Sequence, residues 1–83
     1  MKMNKVYNAD KLNYRYKWLC MTVDEIAYKY NRFRNKPRHL FKFQIRQILD
    51  GNKLPSQKEM FAILWILQYS EDEAIKMLEE IYK

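Results

Sequence analysis

His39, Lys42, Phe43, Arg46 and Gln47 follow one another at alternating steps of three and one. On a helix, at about 100° per residue, that spacing gathers them on one side. Their chemistry is that of nucleic-acid base recognition. An arginine such as Arg46 can give two parallel hydrogen bonds to guanine, and a glutamine such as Gln47 can do the same to adenine. Lys42 can reach a guanine or a phosphate, and the Phe43 ring can pack on a thymine methyl. All of these partners are displayed in the major groove of duplex DNA, about 12 Å wide and able to admit a helix. The plainer alternative is a solvated helix face with Phe43 covered by a neighbouring loop.

The surrounding charge favours an anionic partner. The chain of 83 residues carries a net charge of +6. Lys29, Arg32, Arg34, Lys36, Arg38, Lys42 and Arg46 crowd into one stretch that contains no acid. The last fourteen residues instead hold Glu71, Asp72, Glu73, Glu79 and Glu80 against two lysines. Positive charge is therefore concentrated in the middle of the chain, as a contact surface requires. Arg32, Arg34, Lys36 and Arg38, interleaved with Phe33, read as a loop that grips phosphates, which supplies affinity and register but no sequence information. Thr22 and Lys53 are further phosphate candidates: Thr22 at a helix N-terminus with free backbone N–H groups, Lys53 just beyond a turn at Gly51. The competing role for Thr22 is to spend its hydroxyl on the cap itself.

Other chemistries find little support. There is one His and one Cys, so no disulfide can form within the chain and Cys20 lacks a second cysteine for a zinc site with His39. Cys20 reads as a small core residue in a reducing compartment. No glycine-rich phosphate loop and no nucleophile–base–orienter set is visible, so an enzyme is not expected, and neither is a cofactor or metal. The longest apolar run, 60–67, is far short of the ~20 residues of a membrane span. The N-terminus has no apolar signal core. These features predict a cytoplasmic protein that does not enter a membrane.

An all-α fold must position the candidate residues. With 48% hydrophobic and 16% aromatic residues the chain has enough apolar surface to fold, and with one Gly and two Pro it lacks the turns of a small β-barrel. Thr22 with Glu25, Ser56 with Glu59 and Ser70 with Glu73 are capping-box pairs that start helices. Gly51 follows an apolar periodic stretch as a C-terminal cap does. The spacing predicts a compact five-helix bundle, with helices over about 10–20, 23–31, 38–50, 57–69 and 71–82, and an N-terminal arm over 1–9. Within the third helix, Phe41, Ile45, Ile48 and Leu49 share the core side. Tyr14, Tyr16, Trp18, Tyr28, Tyr30, Trp65, Tyr69 and Tyr82 are expected mostly as core or helix-packing residues.

The order of several motifs resembles the helix-turn-helix domain of the phage lambda repressor and Cro family. Arg15 precedes Met21-Thr22-Val23-Asp24-Glu25-Ile26-Ala27, similar to the opening of the family's second helix. Ile45, then Ile48-Leu49-Asp50-Gly51-Asn52-Lys53-Leu54-Pro55-Ser56, looks like the end of its recognition helix, the Gly turn and the start of helix 4. Leu64, Leu67 and Ser70-Glu71-Asp72-Glu73 resemble its helix 4 and the entry to helix 5. The family joins helices 2 and 3 by a turn of about four residues. Here the distance from Ala27 to Gly51 is about seven residues longer than in that pattern, and Asn31 stands near the place of the turn's Gly. The excess, 31–37, forms either a long basic loop or an N-terminal extension of helix 3.

The resemblance implies a sequence-specific transcriptional regulator of a phage or mobile element, most often a repressor, bound as a homodimer to a palindromic duplex operator. The apolar surplus of helices 4 and 5 supplies a candidate dimer interface at Phe61, Trp65, Ile66, Met77 and Ile81. The alternative cover is the N-terminal segment, Val6 and Tyr7 especially, folded over helix 4. A different class of function, a phage-derived inhibitor or adaptor that blocks a host protein, draws on the long connection after helix 2.

Overall fold

Hydroxyl caps set three of the five helix starts. Ser56 Oγ accepts from the Glu59 N–H at 3.2 Å while Glu59 Oε1 accepts from the Ser56 N–H at 3.0 Å, and Ser70 with Glu73 repeats both bonds at the same distances. Thr22 Oγ1 accepts from the Glu25 N–H at 3.1 Å. Each bond satisfies a donor that a helix start leaves without a partner. The computed structural model describes residues 5–34 and 41–82 and contains helices α1 (Asp10–Trp18), α2 (Val23–Arg34), α3 (Lys42–Leu49), α4 (Gln57–Ile66) and α5 (Glu71–Ile81). No strand occurs among the described residues.

Three helices end in the same way. Cys20, Gly51 and Gln68 all take positive φ, at 58°, 84° and 67°. In each case the next residue's N–H reaches back five positions: Met21 to Tyr16 O, Asn52 to Gln47 O and Tyr69 to Leu64 O. This is the Schellman cap, which normally uses glycine at the left-handed position. Because Cys20 and Gln68 fill that position twice, α1 and α4 stop short of the expected 20 and 69. Cys20 is consequently exposed and not a core residue.

The expected basic loop is instead partly helix. α2 runs to Arg34, so Arg32 and Phe33 stand on its last turn. Its continuation has local support, since Glu25–Lys29 and Tyr28–Arg32 are i,i+4 pairs. Conversely α3 starts at Lys42 and not near 38. Phe41 has extended backbone (φ −78°, ψ 161°) and its N–H donates to Gln44 Oε1 at 2.9 Å. A longer α2 thus takes up part of the excess length before Gly51, and residues 35–40 lie outside the described residues.

Every helix contributes to one core, from Leu12 and Tyr16 on α1 to Ala74 and Met77 on α5. α4 is central. Met60, Ala62, Ile63, Leu64 and Ile66 are all buried as it packs against α2 and α5. Its apolar character on all sides has that cause, and Ile66 and Met77, expected at a dimer interface, lie in the protomer's own core. Phe61 and Ile81 are partly buried and Trp65 is exposed. Arg15 ties α1 to the end of α4: its Nε and Nη2 donate to Leu67 O at 2.9 Å and Gln68 O at 2.8 Å, with the guanidinium 4.6 Å from the Tyr69 ring centre.

The segment over 5–9, expected as part of an arm, is fastened to the body, though to the end of α3 and not over α4. The Val6 N–H donates to Gly51 O at 2.8 Å, the Tyr7 hydroxyl donates to Ile48 O, and Ala9 is buried. The Tyr82 hydroxyl likewise donates to Pro55 O. Burial raises both phenols, Tyr7 well above the usual tyrosine range and Tyr82 to about 12. An ordinary tyrosine titrates near 10. A folded-state pKa above the unfolded one means stability that is intact below about pH 10 and is lost as pH climbs toward the folded values. We therefore expect helicity to fall together with the onset of tyrosinate absorbance above about pH 10, and Tyr7→Phe with Tyr82→Phe to blunt that alkaline loss. Helicity unchanged through full tyrosine ionisation would contradict it.

Candidate functional site

α3 divides cleanly by period. Ile45, Ile48 and Leu49 are buried, which turns Lys42, Phe43, Arg46 and Gln47 outward, all exposed. Its C-terminal carbonyls are held from outside the helix. Asn13 Nδ2 donates to Leu49 O at 3.2 Å and to Asp50 Oδ1 at 3.3 Å, alongside the Tyr7 bond to Ile48 O. A helix end leaves its last carbonyls without intrahelical partners. Ile48 O takes the Gly51 N–H at 3.1 Å as well as the Tyr7 hydroxyl, Leu49 O takes Asn13, and α1 and the N-terminal segment thereby help fix the helix in place.

The outward face of α3 meets the start of α2 in a groove of about 490 Å³, lined by Thr22, Val23, Asp24, Lys42, Phe43, Arg46 and Gln47. Four of the five residues expected to meet bases are therefore brought together, and His39 lies outside the described residues, as do Lys36 and Arg38. Arg34 closes α2, with its side chain also outside what is described. Arg32 and Lys53 do not line the groove. Arg32 sits over Tyr28, its guanidinium 5.7 Å from the ring centre and Nη1 3.1 Å from the hydroxyl.

Phe41 departs from expectation. At 65% exposed it is not a core residue. As the residue before the helix, with extended backbone, it escapes the helical period that would have aimed it inward. Its ring instead lies parallel to Phe43, centres 6.2 Å apart and planes 6° apart, and Phe43 is itself 61% exposed.

The electrostatics of the groove are mixed. Lys42 Nζ lies 3.4 Å from Asp24 Oδ1 across the groove, and Arg46 Nε lies 3.9 Å from Asp50 Oδ2. Exposed pairs of this kind are worth at most about 1 kcal/mol, so both cations can be drawn to a stronger anion. The start of α2 is a poorer phosphate site than Thr22 alone suggests. The Thr22 hydroxyl is spent on Glu25 N–H, and Asp24 and Glu25 already place two carboxylates on the helix's positive end.

Arg46 also borders a second groove, between α1 and α3, whose lining includes Lys5, Asn13, Tyr14, Lys17 and Asp50. Tyr14 is 72% exposed and not a packing residue. Helical period alone identifies it: Leu12 and Tyr16 are buried, and a residue two positions from each points away from both. Trp18, Tyr28 and Trp65 are also exposed, while Tyr16 and Tyr30 are buried.

Among the described residues no group of three or more His, Cys, Asp or Glu could hold a metal ion, and no helix is long and apolar enough to cross a membrane. No protein-family model, curated protein or solved structure matches the chain.

Proposed function

We propose that this protein binds duplex DNA sequence-specifically, with the outward face of α3 in the major groove, and acts as a transcriptional regulator of the repressor type. The observation that carries this reading is the constellation on α3: Lys42, Phe43, Arg46 and Gln47 exposed side by side on a helix whose far end is clasped by Tyr7 and Asn13. Arg46 and Gln47 supply the two-pronged donors and acceptors that tell one base edge from another. Positions 35–41 separate the end of α2 from the start of α3, against a turn of about four residues in the helix-turn-helix pattern. A second reading, a protein that caps a surface of another protein, draws on the exposed Phe41–Phe43 pair.

Fluorescence anisotropy of a labelled duplex across a salt series tests the first reading. The logarithm of the affinity falls linearly with the logarithm of salt, with slope about −0.9 per phosphate neutralised. Asp24→Asn frees Lys42 from its partner and steepens that slope by up to about one phosphate equivalent. Affinity for duplex that is absent or independent of salt would contradict the reading.

The regulator acts as a homodimer in this account, since one helix contacts only a few base pairs and two-fold pairing multiplies both affinity and specificity. With Ile66 and Met77 in the core, the apolar surface left on α4 is Trp65, half exposed and stacked on Phe61 at 6.5 Å. Sedimentation equilibrium should give twice the 10.3 kDa chain mass, and Trp65→Glu should return it to the monomer. A monomer at micromolar concentration, free and on DNA, would exclude the dimer.

A further inference from the structure

Among the described residues, two phenylalanines at one end of a basic, amide-bearing helix face stack on each other and are otherwise largely exposed. Phe41 and Phe43 are 65% and 61% exposed, and their rings are parallel with centres 6.2 Å apart. Exposed pairs of large apolar side chains mark an interaction surface. The remaining lining of the groove narrows the choice of occupant. Lys42, Arg46 and Gln47 are hydrogen-bonding groups suited to an anionic, acceptor-rich surface, and Val23 adds an aliphatic patch beside Phe43. The floor of the major groove is such a surface, and its one apolar feature is the C5-methyl of thymine.

We propose that the Phe41–Phe43 pair is a thymine-methyl reader, so that the preferred duplex carries thymines beside the bases contacted by Arg46 and Gln47. This inference rests on the duplex-binding reading above. Nucleotides of one strand rise by about 3.4 Å each, so two rings 6.2 Å apart span about two base steps and can meet methyls on two thymines of one short run. Phe41, outside the helical period, extends the reach of the pair beyond what Phe43 alone could cover.

The methyl can be removed without touching a phosphate, by exchanging thymine for uracil. The full-length chain is titrated against the duplex it selects from a random pool and against copies with each thymine replaced singly by uracil. One or two of those replacements should weaken binding about fourfold each, the effect of losing one buried methyl-sized group. A Phe41→Ala/Phe43→Ala variant, with its helicity checked, should bind the thymine and uracil duplexes equally well and both more weakly than wild type. Equal binding of wild type to thymine and uracil duplexes overturns the methyl reader while leaving duplex binding intact. So does a double alanine variant with wild-type duplex affinity, which would assign the rings to a protein partner. No selected or bound duplex at all overturns the methyl reader and the duplex-binding reading together.

Discussion

Gly51→Ala is expected to lower the unfolding free energy by about 2–4 kcal/mol, the largest effect of any single substitution considered for this fold. Two costs combine. Gly51 has φ +84°, a conformation that costs a side-chain-bearing residue about 1–2 kcal/mol. A Cβ at this position would also stand 2.7 Å from the Tyr7 carbonyl oxygen and 3.3 Å from Ala9 Cβ. The first of these contacts is with backbone, so the whole N-terminal segment must shift. That shift threatens the Val6 bond to Gly51 O and the Tyr7 bond to Ile48 O. For a domain of this size each kcal/mol lowers the melting temperature by about 4–8 °C. A thermal melt should therefore drop by about 10 °C or more. Gly51→Asn separates the two costs, since asparagine tolerates positive φ but still carries the Cβ. We expect it to be nearly as harmful as alanine, because the close approach of Tyr7 dominates. A Gly51→Asn protein that melts with wild type would contradict this account of the turn.

Arg46→Ala and Gln47→Ala should each cost about 1–3 kcal/mol on the preferred duplex, roughly 5-fold to 150-fold in affinity, and relax base preference at the positions they face. Both side chains are exposed, and among the described residues the Arg46 side chain has a loose pairing with Asp50 to lose. Alanine is also the best helix former. Folding should therefore be unaffected, and circular dichroism on the same samples checks this. The cost should shrink to little on random-sequence duplex for Gln47→Ala, which carries no charge. For Arg46→Ala a residual loss persists there, because a cation is removed from the phosphate field. The two losses need not add, since the residues are neighbours on one groove.

Where the sequence speaks through short-range chemistry, the fold is legible in it. Ser56–Glu59 and Ser70–Glu73 announce α4 and α5 because a hydroxyl and a carboxylate three residues apart have one obvious use. Gly51 announces the end of α3 because glycine alone adopts positive φ at no cost. Cys20 and Gln68 perform the same service unannounced, their side chains giving no hint of a left-handed backbone. The start of α3 is hidden for a related reason. Phe41 has no capping oxygen, and the only signal is Gln44 three residues on. With a helix starting near 38, the period turns Phe41 to the core side and conceals the aromatic pair.

The candidate site divides along the same line. The exposed set Lys42, Phe43, Arg46 and Gln47 follows from helical period and so could be read directly. The carboxylate of Asp24 beside Lys42 could not, because it arrives from a different helix some eighteen positions earlier. Tertiary packing likewise decides which apolar residues of α4 and α5 remain at the surface. Ile66 and Trp65 are adjacent and equally apolar in sequence, yet one is buried and the other half exposed.

Selection of binding sites from a random duplex pool by the full chain tests the central claim most directly. The account predicts enrichment of one short motif, arranged as an inverted repeat, and its loss or broadening when the selection is repeated with an Arg46→Ala/Gln47→Ala protein of unchanged helicity. A pool that emerges with no enriched sequence, or a motif identical for wild type and variant, would contradict the assignment of α3 as the reading helix.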